Sequence, residues 1–449
     1  LVTAVKTFSR IRPRLAIDGV LALLIGSTCM LSGPVQAENW PQWRGPRNDG
    51  TSPHTPVATR WSKTENVAWR APMPGQGGAT PVVWGERLFV TSTDGDDLML
   101  LCLNTKDGRE LWRRKVGSGN IDARAGEGNS ASPSPSTDGK HVWVFFTNGL
   151  LACYDVDGNE VWKADVNERF GKIDIAFGMT STPALDGDHL YLQLIHGPLR
   201  RGDDERTGKV IKLDKLTGAT VWEVDRPTKA DFECKHSYAS PFIYSAGDQR
   251  FLVSHGADCT TGHSLETGEE LWRVDGLNGP SELNPKQNDP TFRFVSSPAV
   301  GPGFIIIPTA KAGPTVAVDV NEKLTGTVTG KSPATRWVVE QTPDVSIPVV
   351  HDNLVYMLHK DGKLQCVDLE SGKELYYERT HSVQHRVSPL VADGKIYFCG
   401  KDGICTVVKT GPQFEIVATN DLGEPITASP IVAHGTLYIR SYDAVYAIR

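Results

Sequence analysis

The chain has 449 residues, 39% of them hydrophobic, with 44 Gly, 29 Pro and a formal net charge of −6. This is the composition of a core-forming chain and excludes disordered and collagen-like classes. An acidic balance without Lys or Arg runs excludes nucleic acid and anionic membrane surfaces as expected partners.

Residues 1–37 read as a cleaved signal peptide. Lys6, Arg10, Arg12 and Arg14 form a basic start, GVLALLIGSTCML (19–31) an apolar run, and VQA (35–37) a small-residue cleavage site. The run is short for a bilayer span, which takes about 20 residues. No transmembrane span is therefore expected after cleavage, and the mature chain is expected to be periplasmic or secreted; a retained anchor is the alternative. Removing the segment takes away four basic residues and one acidic residue, leaving a more acidic chain.

NWPQWRGPRNDG (39–50) has neither helical nor strand period. Residues 38–64 are read as a strap near the seam where the chain ends meet, with Trp40 and Trp43 as anchors and Pro41 and Pro46 limiting the entropy lost on docking. Next, ENVAWRAPM (65–73) matches RELWRRKV (109–116), with Trp69 in the slot of Trp112.

A repeat then organises the chain. Ser/Thr-Pro opens a strand at Thr80, Ser134, Thr182, Ser240, Ser297, Ser388 and Ser429, and Ile347-Pro348 fills the gap in the series. An aromatic follows at a fixed distance (Phe89, Trp143, Tyr191, Tyr356, Tyr397, Tyr438), with Ile306 in the fifth unit and a shifted Phe251 in the fourth. The third strand ends in a polar turn with a Gly, then a Trp: LNTKDGRELW (103–112), YDVDGNEVW (154–162), LDKLTGATVW (213–222), HSLETGEELW (263–272). Trp337 belongs to the same set, and VDLESGKELY (367–376) places Tyr376 in the Trp slot. Glycine suits the tight turn because it accepts positive φ, and the Trp offers a flat area for packing on the neighbouring unit.

Four-stranded units repeated eight times predict an all-β, eight-bladed β-propeller of antiparallel blades. The eighth unit stops at Arg449 after its third strand, so 65–73 is expected to supply the missing outer strand and leave no open edge. The domains are then 1–37 signal peptide, 38–64 strap and 65–449 propeller, and the chain is expected to be a monomer.

The A-x-D-x-x-T-G-x-x-x-W pattern is similar to the tryptophan-docking motif, and over residues 39–449 the chain resembles the pyrroloquinoline-quinone (PQQ)-like propeller repeat family. The opening WPQWRGPRNDG, GPTVAVDV (313–320) and TNDLGEPITASP (419–430) look like a secreted branch of planctomycete-type bacteria. The resemblance extends to two functional classes, quinoprotein dehydrogenases and the non-catalytic lipoprotein of the outer-membrane barrel-assembly machinery. The dehydrogenases imply adjacent cysteines over the quinone and a Ca²⁺ set of Glu, Asn and Asp with a catalytic Asp. No Cys-Cys occurs here, and no residue of that set can be matched. The expected function is therefore a non-catalytic scaffold that binds a protein or another ligand, with no cofactor. A PQQ- and Ca²⁺-dependent oxidoreductase with an altered site is the alternative.

Short turns fall on one face of the ring, and the long connections share the other: 117–131, 167–180, 227–238 and 277–295 before innermost strands, and 196–207, 255–262 and 309–314 between second and third strands. Residues just before the innermost strands should ring the channel mouth. They give a candidate ligand-binding set of Arg124, Glu127, Asn129, Asp174, His236, Tyr238, Arg293, His385 and Arg386, with Asp344 nearby. Their alternative role is to satisfy loop backbones. No metal site is expected: DVDGNE (155–160) is explained by the Gly-Trp turn, and His381 and His385 lie in a loop.

Cys102, Cys153 and Cys366 take near-equivalent strand positions and read as small buried residues. A two-residue Asp402-Gly403 turn would point Cys399 and Cys405 to opposite faces, which speaks against a bridge. Cys234 and Cys259 are the pair to test first.

Overall fold

Eight sheets, one per repeat, make up the eight-bladed β-propeller in the computed structural model, which describes residues 38–53, 56–122, 128–199, 208–286, 289–320 and 324–449. Blade one runs from the channel outward as Val82–Trp84, Arg87–Asp94, Asp97–Asn104 and Glu110–Ser118, and blades two to seven repeat that order. Blade eight is assembled from both ends of the propeller sequence: Val67–Pro72 pairs antiparallel with Ala444–Ile448, Trp69 opposite Ala447. The expected ring closure is thus present. The helical elements among the described residues are a short α-helix, Val166–Phe170, and a 3-10 turn, Phe232–Lys235, both in connections before innermost strands.

The Ser/Thr-Pro signature has a definite use. In each blade that carries it, the Ser or Thr hydroxyl accepts the N–H of the corresponding residue in the preceding blade. The N–H of Thr80 goes to Ser134, Ser134 to Thr182, Thr182 to Ser240 and Ser240 to Ser297, at 2.8–3.0 Å. The series resumes from Ile347 to Ser388, Ser388 to Ser429 and Ser429 to Thr80, at 2.9–3.1 Å. Ile347 has no hydroxyl, and there the Ser296 hydroxyl bonds the Ser346 carbonyl instead, at 2.8 Å. The Pro that follows has no N–H to satisfy and biases the preceding residue toward extended backbone.

A second regularity crosses blades one, two and six. The aromatic of the second strand faces a small residue of the third, which faces the Trp of the fourth: Phe89, Cys102 and Trp112 in blade one, Trp143, Cys153 and Trp162 in blade two, Tyr356, Cys366 and Tyr376 in blade six. The cysteines are the small spacers between two large rings, and burial pushes their thiols up to about 12, so they stay protonated. The outer Trp then reaches the next blade. Trp69, Trp112, Trp162, Trp222 and Trp337 donate their indole N–H to Thr105, Val156, Lys215, Leu265 and Leu369 carbonyls at 2.7–3.2 Å. Their rings cover the turn glycine of that blade. A Cβ on Gly108 would lie 2.6 Å from Trp69, and one on Gly218 2.8 Å from Trp162, with φ of +73° and +69°. Close approach and positive φ both demand glycine there. Trp272 departs from the pattern: its indole nitrogen makes no hydrogen bond, and its ring lies over Gly262 of its own blade.

Two expectations need correction, and one connection is longer than its counterparts. Cys399 and Cys405 form a disulfide. The hairpin loop has three residues, Lys401 to Gly403, closed by a Gly400 N–H to Ile404 carbonyl bond of 2.7 Å, with Gly403 at φ +93°. That shifts the register by one and places Cys399 directly opposite Cys405, on one face of the pair. Cys234 and Cys259 are both buried thiols, not joined to each other; the Cys234 Sγ bonds the Asp289 carbonyl, and the Arg226 guanidinium holds the Cys259 carbonyl. Finally, the connection between the third and fourth strands of blade five is not short. It carries Gly326–Val328, which adds a parallel fifth strand to the outer edge of blade four at Glu270–Val274.

Two outcomes follow from these contacts. Ser240→Ala leaves the buried Thr182 N–H without its acceptor and is expected to cost about 1–3 kcal/mol in urea unfolding. Trp69→Ala empties the closing contact of blade eight and is expected to cost about 3–5 kcal/mol, with a chain begun at residue 74 melting lower still; an unchanged melting temperature for that truncation would refute the closure.

Candidate functional site

The central channel is stopped at one end by the chain itself. Residues 39–52 do not stay at the seam. Asn39 takes the Gly85 N–H of blade one and bonds His434 of blade eight, and Trp40 exchanges two backbone bonds with Val83 of blade one. The Pro41 carbonyl takes the Thr137 N–H of blade two, and the Gln42 side chain the Leu185 N–H of blade three. Arg44 then bonds the Pro389 carbonyl of blade seven at 2.9 Å, and Thr51–Ser52 runs parallel to the innermost strand of that blade. All of these contacts lie at the short-turn face. Gly50 completes the fold-back: its φ is +71°, and a Cβ there would meet Arg44 Nη2 at 1.8 Å. Burial lowers the Arg44 guanidinium to about 10, against the pull of Asp49.

Trp43 projects from this segment into the channel and forms the floor of a chamber of about 220 Å³. The chamber wall is built from the repeat. A lower tier comes from the hydroxyl residues Thr80, Ser134, Thr182, Ser388 and Ser429. An upper tier comes from the residue two before that position in every blade: Gly78, Ser132, Thr180, Tyr238, Val295, Val345, Arg386 and Thr427. These are extended segments, in which alternate residues face the same way. The residues three before the hydroxyl position accordingly turn inward to the blades and are buried, as Ala131, Met179, Phe294, His385 and Ile426 are.

This alternation sorts the sequence candidates. Tyr238, Arg293 and Arg386 line the chamber. Asn129 sits at its edge with its amide spent on the Gln76 carbonyl at 2.7 Å. His236 and His385 are fully buried and bonded to the Gly197 and Val383 carbonyls, at 2.7 and 2.9 Å. Asp174 is exposed, its backbone bonded to His196 and Gly197. Asp344 is paired with Lys360 at 2.7 Å. Arg124 and Glu127 lie outside the described residues. Sequence reasoning missed Phe177 and, of the upper tier, Gly78, Ser132, Thr180, Val295, Val345 and Thr427; for that tier the signal was the place two residues before each strand-opening Pro dipeptide.

Arg293 is held on two sides. Its guanidinium pairs with Glu233 and lies 4.8 Å above the Phe177 ring. Phe177 in turn leans on Tyr238, ring centroids 6.3 Å apart. Tyr238 is 7% exposed. The Phe177 N–H approaches its phenol oxygen, but the hydroxyl proton finds no acceptor. The Thr427 hydroxyl is likewise buried without a partner. The described lining therefore presents two guanidiniums and a set of hydroxyls, with no carboxylate.

The remaining features are less organised. At the short-turn face, a basin of about 920 Å³ beside the 41–51 segment has charges that are already paired, Asp186 with Arg250 and Asp138 with Lys215. On the elaborated face, a groove of about 700 Å³ is lined by Ile121, Ile173, Ile175 and Lys172, and Ile121 is 58% exposed. Among the described residues no group of three His, Cys, Asp or Glu could hold a metal ion, and no helix is long and apolar enough to cross a membrane.

Comparison with known proteins agrees with the architecture. The sequence matches the family described as outer membrane protein assembly factor BamB over residues 55–128, 99–374 and 208–449. It is 23% identical over 336 residues to polyvinylalcohol dehydrogenase of a Pseudomonas species, covering 64% of this chain and 50% of that protein. It is 27% identical over 209 residues to outer membrane protein assembly factor BamB of Burkholderia pseudomallei (strain K96243), covering 46% and 45%. The chain thus spans about half the length of the curated relatives it matches. Among solved structures it resembles BamB from Moraxella catarrhalis (TM-score 0.56, 16% identity, 82% of this chain and 93% of that one). It also resembles quinohemoprotein alcohol dehydrogenase from Comamonas testosteroni (0.63, 13%, 91% and 80%). At these identities the structural likeness carries the fold alone.

The buried histidines set a pH dependence. Burial lowers His236 and His385, and it holds His255 down at about 3 and His263 at about 4. The unfolded chain binds protons at these imidazoles below about pH 6.5, and the folded chain does not. Stability is therefore complete above that pH and is lost as pH falls toward 4. Urea unfolding of His255→Gln is expected to flatten the slope by about 1.4 kcal/mol per pH unit below 6.5.

Proposed function

The chain belongs to the family described as outer membrane protein assembly factor BamB, and we propose that it is a secreted or periplasmic, non-catalytic propeller scaffold that binds a protein or another ligand on its elaborated loop face. The observation that carries this reading is the asymmetry of the ring. The short-turn mouth is filled by residues 39–52, while the chamber and the aliphatic groove belong to the long connections of the other face. Function concentrates on loops held by a rigid scaffold, and exposed aliphatic side chains around a groove suit a protein partner.

The likeness to polyvinylalcohol dehydrogenase supports a second reading, a PQQ-dependent oxidoreductase with an altered site. The donor set argues against it. Calcium takes six to eight oxygen ligands, carboxylates prominent among them, and the described chamber lining has no carboxylate. The disulfide joins residues six apart and is buried inside blade seven, away from the chamber.

Photo-cross-linking side chains placed at Ile121 and Ile175, against Asp188 on the short-turn face, test the scaffold reading in the secreting host. Specific adducts from the first two positions and none from Asp188 are expected; equal labelling of both faces would sink it. Adding PQQ and Ca²⁺ to purified protein is expected to leave no bound quinone absorbance and no dye reduction with alcohols. Both signals together would establish the oxidoreductase instead.

A further inference from the structure

We infer that a small cavity beneath Trp43 is a binding site for a monatomic halide, with Arg44 of the WPQWRGP stretch as its cationic ligand. This goes beyond the scaffold reading, which concerns the other face. The cavity holds about 30 Å³ on the short-turn side of Trp43, among the strand-opening segments of blades three to six. It shares only Trp43 and Thr182 with the chamber.

Arg44 lines this cavity and is 6% exposed. Its Nη1 reaches the Pro389 carbonyl at 2.9 Å, but the buried Nε and Nη2 have no acceptor. Those two nitrogens form one edge of the guanidinium, the fork that grips an anionic acceptor. Asp49 acts on the charge, yet its own oxygens are taken by the Arg47 Nε at 3.1 Å and the Thr51 N–H at 2.8 Å. A buried cation without a close counter-charge is strongly destabilising.

The rest of the polar lining donates. The Thr182, Ser240 and Ser297 hydroxyls each accept a backbone N–H from the preceding blade, and among the described residues none gives its own proton to an acceptor. Gln42 spends its carbonyl oxygen on the Leu185 N–H, which leaves its NH2 group, and the Asn48 carboxamide lies on the same wall. The described lining holds no carboxylate. Such a wall suits an occupant that carries negative charge and brings no protons, whereas water brings two. The volume exceeds the roughly 10–15 Å³ that a water-sized occupant needs, and it leaves no room for an organic body. A halide meets both conditions. Neutralising Arg44 there would also secure the 39–52 segment where it reaches blade seven.

The test unfolds the purified full chain in urea at constant ionic strength while chloride replaces gluconate. Between about 1 and about 100 mM chloride, a site with a Kd near 10 mM raises the folding equilibrium constant about tenfold, and that rise is expected for the wild type. Arg44→Met is expected to abolish it. Asn48→Asp sets a carboxylate on the cavity wall and is expected to remove the chloride response while keeping the stability of the chloride-saturated wild type. Crystals soaked in sodium bromide are expected to show an anomalous peak within hydrogen-bond reach of Arg44 Nε or Nη2. If Arg44→Met fails to fold, Asn48→Asp and the bromide map carry the test. Wild-type stability indifferent to chloride, an equal chloride response in the folded variants, or no anomalous peak at Arg44 would overturn the proposal and leave an ordinary solvated guanidinium. Cross-links from Ile121 and Ile175 report on the scaffold reading separately, at the other face.

Discussion

The ring depends on one contact made seven times around: the N–H of the residue before each strand-opening Pro, given to the hydroxyl of its equivalent in the next blade. A four-stranded blade has two apolar faces and cannot bury both alone. Side-by-side stacking solves that problem but leaves the sliding of one blade on the next unspecified, because hydrophobic burial has no direction. A directional bond near the axis, in a buried setting where an unmade donor is costly, fixes the position of each blade against its neighbours. Its single interruption, at Ile347, is bridged by the Ser296 and Ser346 pair rather than left open.

The periphery repeats the logic with different chemistry. There the indole N–H of one blade meets a turn carbonyl of the next, and the ring fills the space that only a glycine leaves. From blade eight round to blade four, inner hydroxyls and outer indoles together pin neighbouring blades at two radii. The seam between blades eight and one receives the same treatment, because Thr80 closes the inner series and Trp69 reaches Thr105 on the outside. A ring fixed in this way can carry long connections on one face without depending on them. At the other face it can accept residues 39–52 as a stopper that touches blades one, two, three, seven and eight.

That stopper gives the channel its polarity. With Trp43 as a floor, the space above is a chamber and not a through-passage, and the residues that face it are set by the pleat of eight similar segments. The same pleat removes His385 from the channel while presenting Arg386 to it. A one-residue difference in sequence position is a difference between core and cavity.

Blade number, strand pattern, the closing role of residues 65–73 and the interblade reach of the Trp residues were all determined by the sequence alone. They are local motifs that recur with nearly constant spacing, so each copy supports the reading of the others. Tertiary structure alone decided three things. It decided the Cys399–Cys405 pairing, since one residue of hairpin loop, allowed by the positive φ of Gly403, inverts which face a thiol takes. It decided that NWPQWRGPRNDG closes the channel, because the segment occurs once and its partners are carbonyls and amide groups from five blades far away in sequence. It decided which charged residues share the chamber, because side-chain direction in an extended segment turns on register, and register is set by contacts between blades that no single repeat contains.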